Sequence, residues 1–165
     1  MCLNALCSRK GLLVPRSLDR RAGKTSPRTI LLIEADDVVR KALQRTLESR
    51  GYRVLQAITG EEAALLCRHH EGPIDLLLSD ISLPGLRGPD LARIVTDARP
   101  FTRILFLTAE SEEANMGAGI CPGCWLLIRK PFRPQELAVA LQEFLSRQVF
   151  QPLSVEALAQ AGLVE

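Results

Sequence analysis

The chain has 165 residues, 47% of them hydrophobic and 24% charged, which is the size and composition of one globular domain with flanking segments. Only 4% are aromatic, which argues against a stacking surface for single-stranded nucleic acid. No apolar run approaches the roughly 20 residues that cross a membrane, and the first residues lack the order of a secretory signal. We therefore expect a cytoplasmic protein.

The net charge of +2 conceals an uneven distribution. Residues 1–28 contain seven Lys or Arg and one acidic residue, so the remainder carries 14 of the 21 basic and 18 of the 19 acidic residues. We interpret residues 1–28 as a basic, disordered leader because they show no hydrophobic periodicity. The alternative is a segment that contacts nucleic acid or a membrane surface.

The five cysteines are an odd number without the spacing of a disulfide framework, which fits a reducing compartment. Cys121 and Cys124 form a C-x-x-C, but they precede a predicted strand, whereas a redox pair needs a helix N-terminus. A zinc site would need two further ligands, and the chain offers none at a suitable spacing. We interpret the pair as a turn, with a disulfide under oxidising conditions as the alternative.

Five short apolar segments alternate with amphipathic segments from residue 29 onward. Apolar runs of this length between turn residues are typical of buried strands in a parallel sheet. The predicted strands are residues 29–33, 52–57, 75–80, 103–108 and 125–128.

Signals for helix starts separate these strands. Asp36 is a predicted N-cap, residues 59–62 have the pattern of a capping box, and Pro89 and Pro134 suit first helical positions. The segment 111–123 is rich in Gly and small residues, so its helix is expected to be short or frayed. The alternation predicts an α/β fold, a doubly wound five-stranded parallel sheet with helices on both faces.

The same pattern sets the expected boundaries of the domain. We place it at residues 29–148, where the last helical segment ends. Residues 149–165 are expected to form a C-terminal tail or one short extra helix.

Polar residues stand where four of the predicted strands end. Glu34 and Asp36 follow the first strand, Asp80 ends the third, Thr108 ends the fourth and Lys130 follows the fifth. Because open parallel sheets place their ligand sites at the carboxyl ends of the strands, we expect these side chains to gather at one edge. Acids, a hydroxyl and an ammonium in one place predict a phosphoryl site.

These motifs, in this order, resemble the receiver domain of response regulators in two-component signalling, over residues of about 29–147. The matching features are acids after the first strand, Asp80 followed by Pro84-Gly85, then Thr108-Ala109, then Lys130-Pro131-Phe132. The amino-acid sequence of residues 83–91 also resembles that of receivers that are fused to, or work beside, hybrid histidine kinases. The resemblance implies a flavodoxin-like sheet.

The resemblance also implies roles for the site residues. Asp80 would accept a phosphoryl group from the phosphohistidine of a histidine kinase or phosphotransfer protein. Mg²⁺ would be the cofactor, held by oxygen ligands from Glu34, Asp36, Asp80 and the backbone carbonyl of Ser82.

Two further residues complete the implied mechanism. Lys130 would neutralise a phosphate oxygen, and the Thr108 hydroxyl would bond the aspartyl phosphate and shift the neighbouring loop. We therefore expect a signalling module rather than an enzyme, one that acts on a downstream protein target and has neither a DNA-binding domain nor a membrane span.

Two positions depart from the pattern of this family. Ala35 stands where the family normally has a second acid, so we expect weaker Mg²⁺ binding unless Asp36 or Asp37 reaches the metal. Leu127, three residues before Lys130, stands at a switch position that is usually aromatic. An aliphatic side chain cannot make the usual rotation of an aromatic ring.

Two other functions compete with the phosphoacceptor. A degenerate receiver, acting as a phosphorylation-independent protein-interaction module, is supported by Ala35 and Leu127 and opposed by the three retained site residues. An FMN-binding electron carrier with similar topology would need a phosphate-binding loop after the first strand. Three of residues 34–37 are instead acidic and would repel phosphate.

Overall fold

The computed structural model describes residues 13–15, 26–109, 123–147 and 150–152. In chain order the elements are β1 (Leu13–Pro15), β2 (Thr29–Ile33), α1 (Asp37–Glu48), β3 (Arg53–Ala57), α2 (Gly60–His69), β4 (Leu76–Asp80), α3 (Gly88–Ala98), β5 (Arg103–Thr108), β6 (Trp125–Arg129), α4 (Pro134–Ser146) and β7 (Phe150–Pro152). They fall into two compact units, Gly23–Arg147 and a unit made from Met1–Ala22 with Gln148–Glu165.

The larger unit is built on a five-stranded sheet in the order β3-β2-β4-β5-β6, in which every neighbouring pair is parallel. Helix α1 packs beside α4, and α2 packs beside α3. Parallel neighbours joined through helices require crossover connections, which place helices on both faces of the sheet. The predicted doubly wound five-stranded parallel sheet is confirmed.

Burial follows each strand's place in the sheet. Every residue of β2 and β5 is buried, as are the apolar residues of β4, because these central strands have a neighbour on each side and helices above and below. The edge strands β3 and β6 are mostly half-buried. The continuous apolar runs in the sequence therefore mark the centre of the sheet.

The core between the sheet and the pair α1 and α4 is almost wholly aliphatic, as the low aromatic content requires. It contains these buried residues: Ile30, Leu32, Leu43, Leu47, Leu76, Leu78, Leu105, Leu107, Leu137, Leu141, Phe144 and Leu145. Each fully buried Leu or Ile contributes roughly 1.5–3 kcal/mol of transfer free energy, so this layer is a principal source of stability.

The helix starts agree with the sequence patterns, with two corrections. Thr59 caps α2, and its side-chain oxygen accepts a hydrogen bond from the Glu62 N–H. The Glu62 carboxylate, however, accepts from the Ile58 N–H and not from the Thr59 N–H that a capping box requires. Pro134 is the first residue of α4, as predicted, whereas Pro89 is the second residue of α3, which begins at Gly88.

The smaller unit contains one short ribbon among its described residues. Strands β1 and β7 pair antiparallel, with Leu13 opposite Pro152 and Pro15 opposite Phe150. The leader interpreted as disordered thus contains a strand, and the tail at 149–165 contributes its partner. Three residues are too few for hydrophobic periodicity to signal a strand.

Two predictions fall on other parts of the chain. The short helix expected at 111–123 lies outside the described residues except for residue 123. Of the C-x-x-C pair, Cys121 also lies outside them, whereas Cys124 is described and buried. Among the described helices, none combines the length and the apolar character that a membrane crossing requires.

Candidate functional site

Three charged side chains from three strand ends meet at the carboxyl edge of the sheet. The Nζ of Lys130 lies 2.5 Å from Oδ2 of Asp80 and 3.1 Å from Oε2 of Glu34. Glu34 follows β2, Asp80 ends β4 and Lys130 follows β6, so the ammonium group reaches past the end of β5 to bridge two carboxylates. The structure thus brings together three of the residues that the sequence placed at this edge.

The three side chains are shielded to different degrees. Glu34 is 6% exposed, Asp80 16% and Lys130 27%. Burial lowers the pKa of Lys130, but hydrogen bonds to Asp80 and Glu34, together with their negative charges, outweigh it and raise the pKa above its ordinary value. The ammonium is therefore protonated at neutral pH and balances one of the two negative charges.

Asp80 is held on both sides of its carboxylate. Oδ2 bonds Lys130, while Oδ1 accepts a hydrogen bond of 2.9 Å from the Ser82 N–H. Gly88 closes the following loop so tightly that a Cβ there would lie 2.7 Å from the Asp80 carbonyl oxygen. A side chain at position 88 would therefore displace the backbone that carries the carboxylate.

Thr108 lies beside this group at the end of β5. It is fully buried, and its carbonyl accepts a hydrogen bond of 2.6 Å from the Lys130 N–H. The next peptide bond, between Lys130 and Pro131, is cis. The main chain thereby fixes Thr108 and Lys130 as neighbours, as the sequence predicted.

Asp36 occupies a different position from the other predicted metal ligands. Its Oδ1 accepts hydrogen bonds of 2.8 Å from the Val38 N–H and 3.0 Å from the Val39 N–H, so it is the N-cap of α1, as the sequence predicted. Its own N–H donates to Oε1 of Glu34. The role of Asp36 as a Mg²⁺ ligand stays a prediction, because in this conformation its carboxylate caps the helix.

Asp37, the other acid that could replace the missing ligand, pairs with cations of its own helix. Its oxygens lie 2.5 Å from the Arg40 guanidinium and 2.6 Å from the Lys41 Nζ. The hydrogen bond from Lys41 is the largest influence on the pKa of Asp37, and the combined effect of both cations lowers that pKa. Ala35 itself is exposed.

Arg40 is a residue whose position the sequence did not reveal. It is buried, and its guanidinium donates to the Glu34 carbonyl at 3.0 Å as well as to Asp37. It therefore braces the turn that carries Glu34. The available signal was its spacing of three residues from Asp37, which places the two on one helix face.

The arrangement can be compared with what Mg²⁺ requires. Within residues 26–109 and 123–147 no group of three or more His, Cys, Asp or Glu side chains is placed to hold a metal ion. The carboxylates of Glu34 and Asp80 nevertheless lie together around Lys130, and with the Ser82 carbonyl that the resemblance implies they would form an oxygen donor set. Because Mg²⁺ commonly binds through one or two carboxylates and keeps several waters, this set fits the ion with fewer protein ligands than the sequence prediction assumed.

The switch position lies on β6 next to an aromatic pair. Leu127 is half-buried and stands opposite Phe106 in the sheet. Trp125 shares a face with Leu127, because residues two apart in a strand point the same way, and its ring lies 6.4 Å from that of Phe106. On this face of β6 the aromatic residue is therefore Trp125, two residues before position 127, where the family usually has an aromatic side chain.

Comparison with known proteins gives the same picture. Residues 30–142 match the family model of the response regulator receiver domain. The chain is 31% identical over 136 residues to the sensor kinase CckA of Brucella abortus (strain 2308), covering 81% of this chain and 14% of that kinase. It is 32% identical over 124 residues to the transcriptional regulatory protein ResD of Bacillus subtilis (strain 168), covering 75% and 50%.

The same likeness extends to solved structures. A CheY-like response regulator receiver domain protein from Methanospirillum hungatei JF-1 superimposes with a TM-score of 0.62 at 26% identity, covering 73% of this chain and 94% of that one. This likeness confirms the flavodoxin-like topology of a receiver. The chain spans half of the regulator and a smaller part of the kinase, so it matches one portion of each curated relative.

Proposed function

The chain belongs to the response regulator receiver domain family, and from this membership we propose that it is a phosphoacceptor module of two-component signalling, in which Asp80 takes a phosphoryl group from the phosphohistidine of a histidine kinase or phosphotransfer protein. The observation that carries the proposal is the 2.5 Å contact between Lys130 Nζ and Asp80 Oδ2 at the carboxyl edge of the sheet. A carboxylate paired with a cation is both nucleophilic and able to tolerate an incoming negative group.

The transfer requires little from the protein besides position and charge. A carboxylate oxygen of Asp80 forms a bond to phosphorus while the phosphorus–nitrogen bond of the phosphohistidine breaks, and the electron pair of that bond goes to the imidazole. Lys130 moves its hydrogen bond from the carboxylate to a phosphoryl oxygen. The Thr108 hydroxyl then bonds the aspartyl phosphate, and the adjoining loop carries the signal to a protein target.

We further propose that Mg²⁺ binds at the same edge, held by Glu34, Asp80 and the Ser82 carbonyl. When bound, the ion supplies positive charge to the transferring phosphoryl group. Asp36 joins this set only if its carboxylate leaves the N-cap of α1. Since the two carboxylates share one ammonium, the site keeps a net negative charge that attracts a divalent cation.

A second function is favoured by one observation. Neither acid that follows the exposed Ala35 uses its carboxylate in the site: Asp36 caps α1 and Asp37 pairs with Arg40. If two carboxylates are too few to hold Mg²⁺, the domain is a protein-interaction module that acts without phosphorylation.

The two functions differ in the mass of the intact protein after incubation with acetyl phosphate, with and without Mg²⁺. We expect a Mg²⁺-dependent phosphoryl adduct on the native chain and none on Asp80→Asn, whose circular dichroism should equal that of the native chain. Asp90→Asn, at an exposed acid in the first turn of α3, is the matched control and should be labelled normally. An adduct on Asp80→Asn would show a different acceptor, and no adduct at any Mg²⁺ concentration would favour the interaction module.

A further inference from the structure

The loop that follows Asp80 rests against the start of helix α2. The Leu86 N–H donates a hydrogen bond of 3.0 Å to Oε1 of Glu61, although the two residues are 25 positions apart. This contact is a tertiary one, and it joins the acceptor loop to an element that contributes no residue to the charged group described above.

Two glycines make the contact possible. A Cβ on Gly60 would lie 2.6 Å from the Leu86 carbonyl oxygen, and a Cβ on Gly85 would lie 2.7 Å from Oε1 of Glu61. Gly85 also has a φ of +77°, a conformation that side chains disfavour. Both sides of the contact are therefore shaped to let the carboxylate and the loop approach closely.

The other part of the loop is fixed to Asp80 itself. The Ser82 N–H bonds Oδ1 of Asp80, and the Gly88 N–H donates to the Ile81 carbonyl at 3.3 Å. The loop is thus attached at one point to the acceptor and at another to α2 through Glu61. Ser82, whose carbonyl belongs to the proposed donor set for Mg²⁺, makes the first of these attachments with its N–H.

We propose that Glu61 is a positioning residue for this site, which holds the loop at residues 81–88 through the Leu86 amide so that the Ser82 carbonyl stays beside Asp80. This inference rests on the proposed phosphoacceptor function. Because Ala35 supplies no ligand, each remaining oxygen carries a larger share of the metal affinity. A loop that had to be ordered at binding would therefore reduce that affinity markedly.

The state of Glu61 agrees with this role. Hydrogen bonds from the backbone N–H groups of Glu61 itself and of Leu86 lower the pKa of its carboxyl group. The carboxylate is therefore ionised at neutral pH, the form that accepts hydrogen bonds most strongly.

Glu62 provides a matched control on the same turn. It is also an exposed acid at the start of α2, and its carboxylate also accepts a backbone hydrogen bond, from the Ile58 N–H at 2.8 Å. Either Glu→Ala change removes one negative charge near a helix N-terminus and so costs the helix a similar amount. Only the change at position 61 removes the bond to Leu86.

The test is a Mg²⁺ titration of labelling by acetyl phosphate. Glu61→Ala should raise the Mg²⁺ concentration for half-maximal labelling about tenfold, a usual effect of losing a residue that orients a metal ligand. The rate at saturating Mg²⁺ should be unchanged. Glu61→Gln, which keeps a side-chain oxygen that can accept the Leu86 N–H, should restore the native midpoint, and Glu62→Ala should have the native midpoint. Equal midpoints in Glu61→Ala and Glu62→Ala would overturn the inference.

An NMR measurement separates this inference from the function on which it rests. The Leu86 amide resonance of the native chain should shift as the Glu61 carboxyl titrates at acidic pH, and Glu61→Gln should abolish that shift. If the native chain is not labelled, the proposed function fails. The positioning role is then judged from the Mg²⁺-dependent shifts of the Ser82 and Gly88 amides, whose midpoint must still rise about tenfold in Glu61→Ala. An unchanged midpoint there would overturn it.

Discussion

The two edges of the central sheet both bury charged residues, but they satisfy those charges in different ways. At the carboxyl edge the charged side chains bond one another, since Lys130 bonds Asp80 and Glu34. Each carboxylate also accepts a hydrogen bond from a nearby main-chain N–H, of Ser82 or of Asp36. Each of the three charged groups stands at the carboxyl end of a different strand, and Asp80 and Lys130 remain partly exposed. Their bonds can therefore be exchanged for bonds to a ligand.

At the amino edge two charged residues bond main-chain groups that belong to strand starts and to a helix end. Asp75 accepts a hydrogen bond of 2.7 Å from the Thr29 N–H and thereby joins the starts of two strands. Arg103, which is buried, donates to the carbonyls of Phe144 and Arg147 at the end of α4. Such bonds satisfy carbonyls that the end of a helix leaves without intrahelical partners.

The difference indicates which charges serve chemistry and which serve folding. A bond that holds a helix end or the start of a strand cannot be exchanged without opening that element. A charge bonded to another side chain can change partner through a change of rotamer. We therefore expect substitutions at the carboxyl edge to alter phosphoryl transfer and substitutions at the amino edge to alter stability.

The largest effect is expected from Lys130→Met at the carboxyl edge. Removing the cation should lower the rate of labelling by acetyl phosphate on the order of 100-fold at saturating Mg²⁺, since one positioned charge near a reacting oxyanion is worth about that much. Lys41→Met is the matched control, because Lys41 also pairs with a carboxylate but on the surface. A native labelling rate in Lys130→Met would show that the charges at the carboxyl edge do not serve phosphoryl transfer.

At the amino edge, Arg103→Met should lower the free energy of unfolding by about 3 kcal/mol, since it removes charged hydrogen bonds from the buried Phe144 carbonyl and the partly buried Arg147 carbonyl. The cation also lies 5.4 Å from the centre of the Phe144 ring, so its packing is lost as well. Urea unfolding measures the change, and Arg93→Met on the exposed face of α3 serves as the control. The folded variant should be labelled at the native rate, and a loss of labelling without a loss of stability would contradict the comparison.

The smallest effect is expected from Ala35→Asp, which adds an acid at the carboxyl edge. The Mg²⁺ concentration for half-maximal labelling should fall about tenfold or less, because the affinity of oxygen sites rises with ligand charge. Ala35→Asn adds similar bulk without charge and should leave the midpoint near the native value. An unchanged midpoint in Ala35→Asp would show that Asp36 or Asp37 already supplies the missing ligand.

Much of the fold could be predicted from the sequence because its central strands are buried on both faces. The continuous apolar runs at 29–33 and 103–108 coincide with β2 and β5. The site followed from the same pattern, since the residues directly after such runs must meet at one edge of a parallel sheet. Glu34, Asp80, Thr108 and Lys130 could all be placed in this way.

The partners of individual side chains could not be predicted in this way. Whether Asp36 caps a helix or faces a metal depends on whether the N–H groups of α1 or the metal bind its carboxylate, which sequence spacing does not resolve. The bond between Glu61 and Leu86 depends on the packing of α2 against a distant loop. Periodicity identifies which residues are buried, whereas such contacts follow only from the complete backbone path.

The ribbon of β1 and β7 has a mechanical consequence. Its strands are antiparallel, and Leu13 and Pro152, the residues farthest from the intervening domain along the chain, are paired. A force applied to the two ends of the chain would open the ribbon one pair at a time, like a zipper, rather than shear its bonds together. Until these three residue pairs separate, the force passes from one strand of the ribbon to the other. The receiver domain, which lies between the two strands in the chain, would then carry no tension.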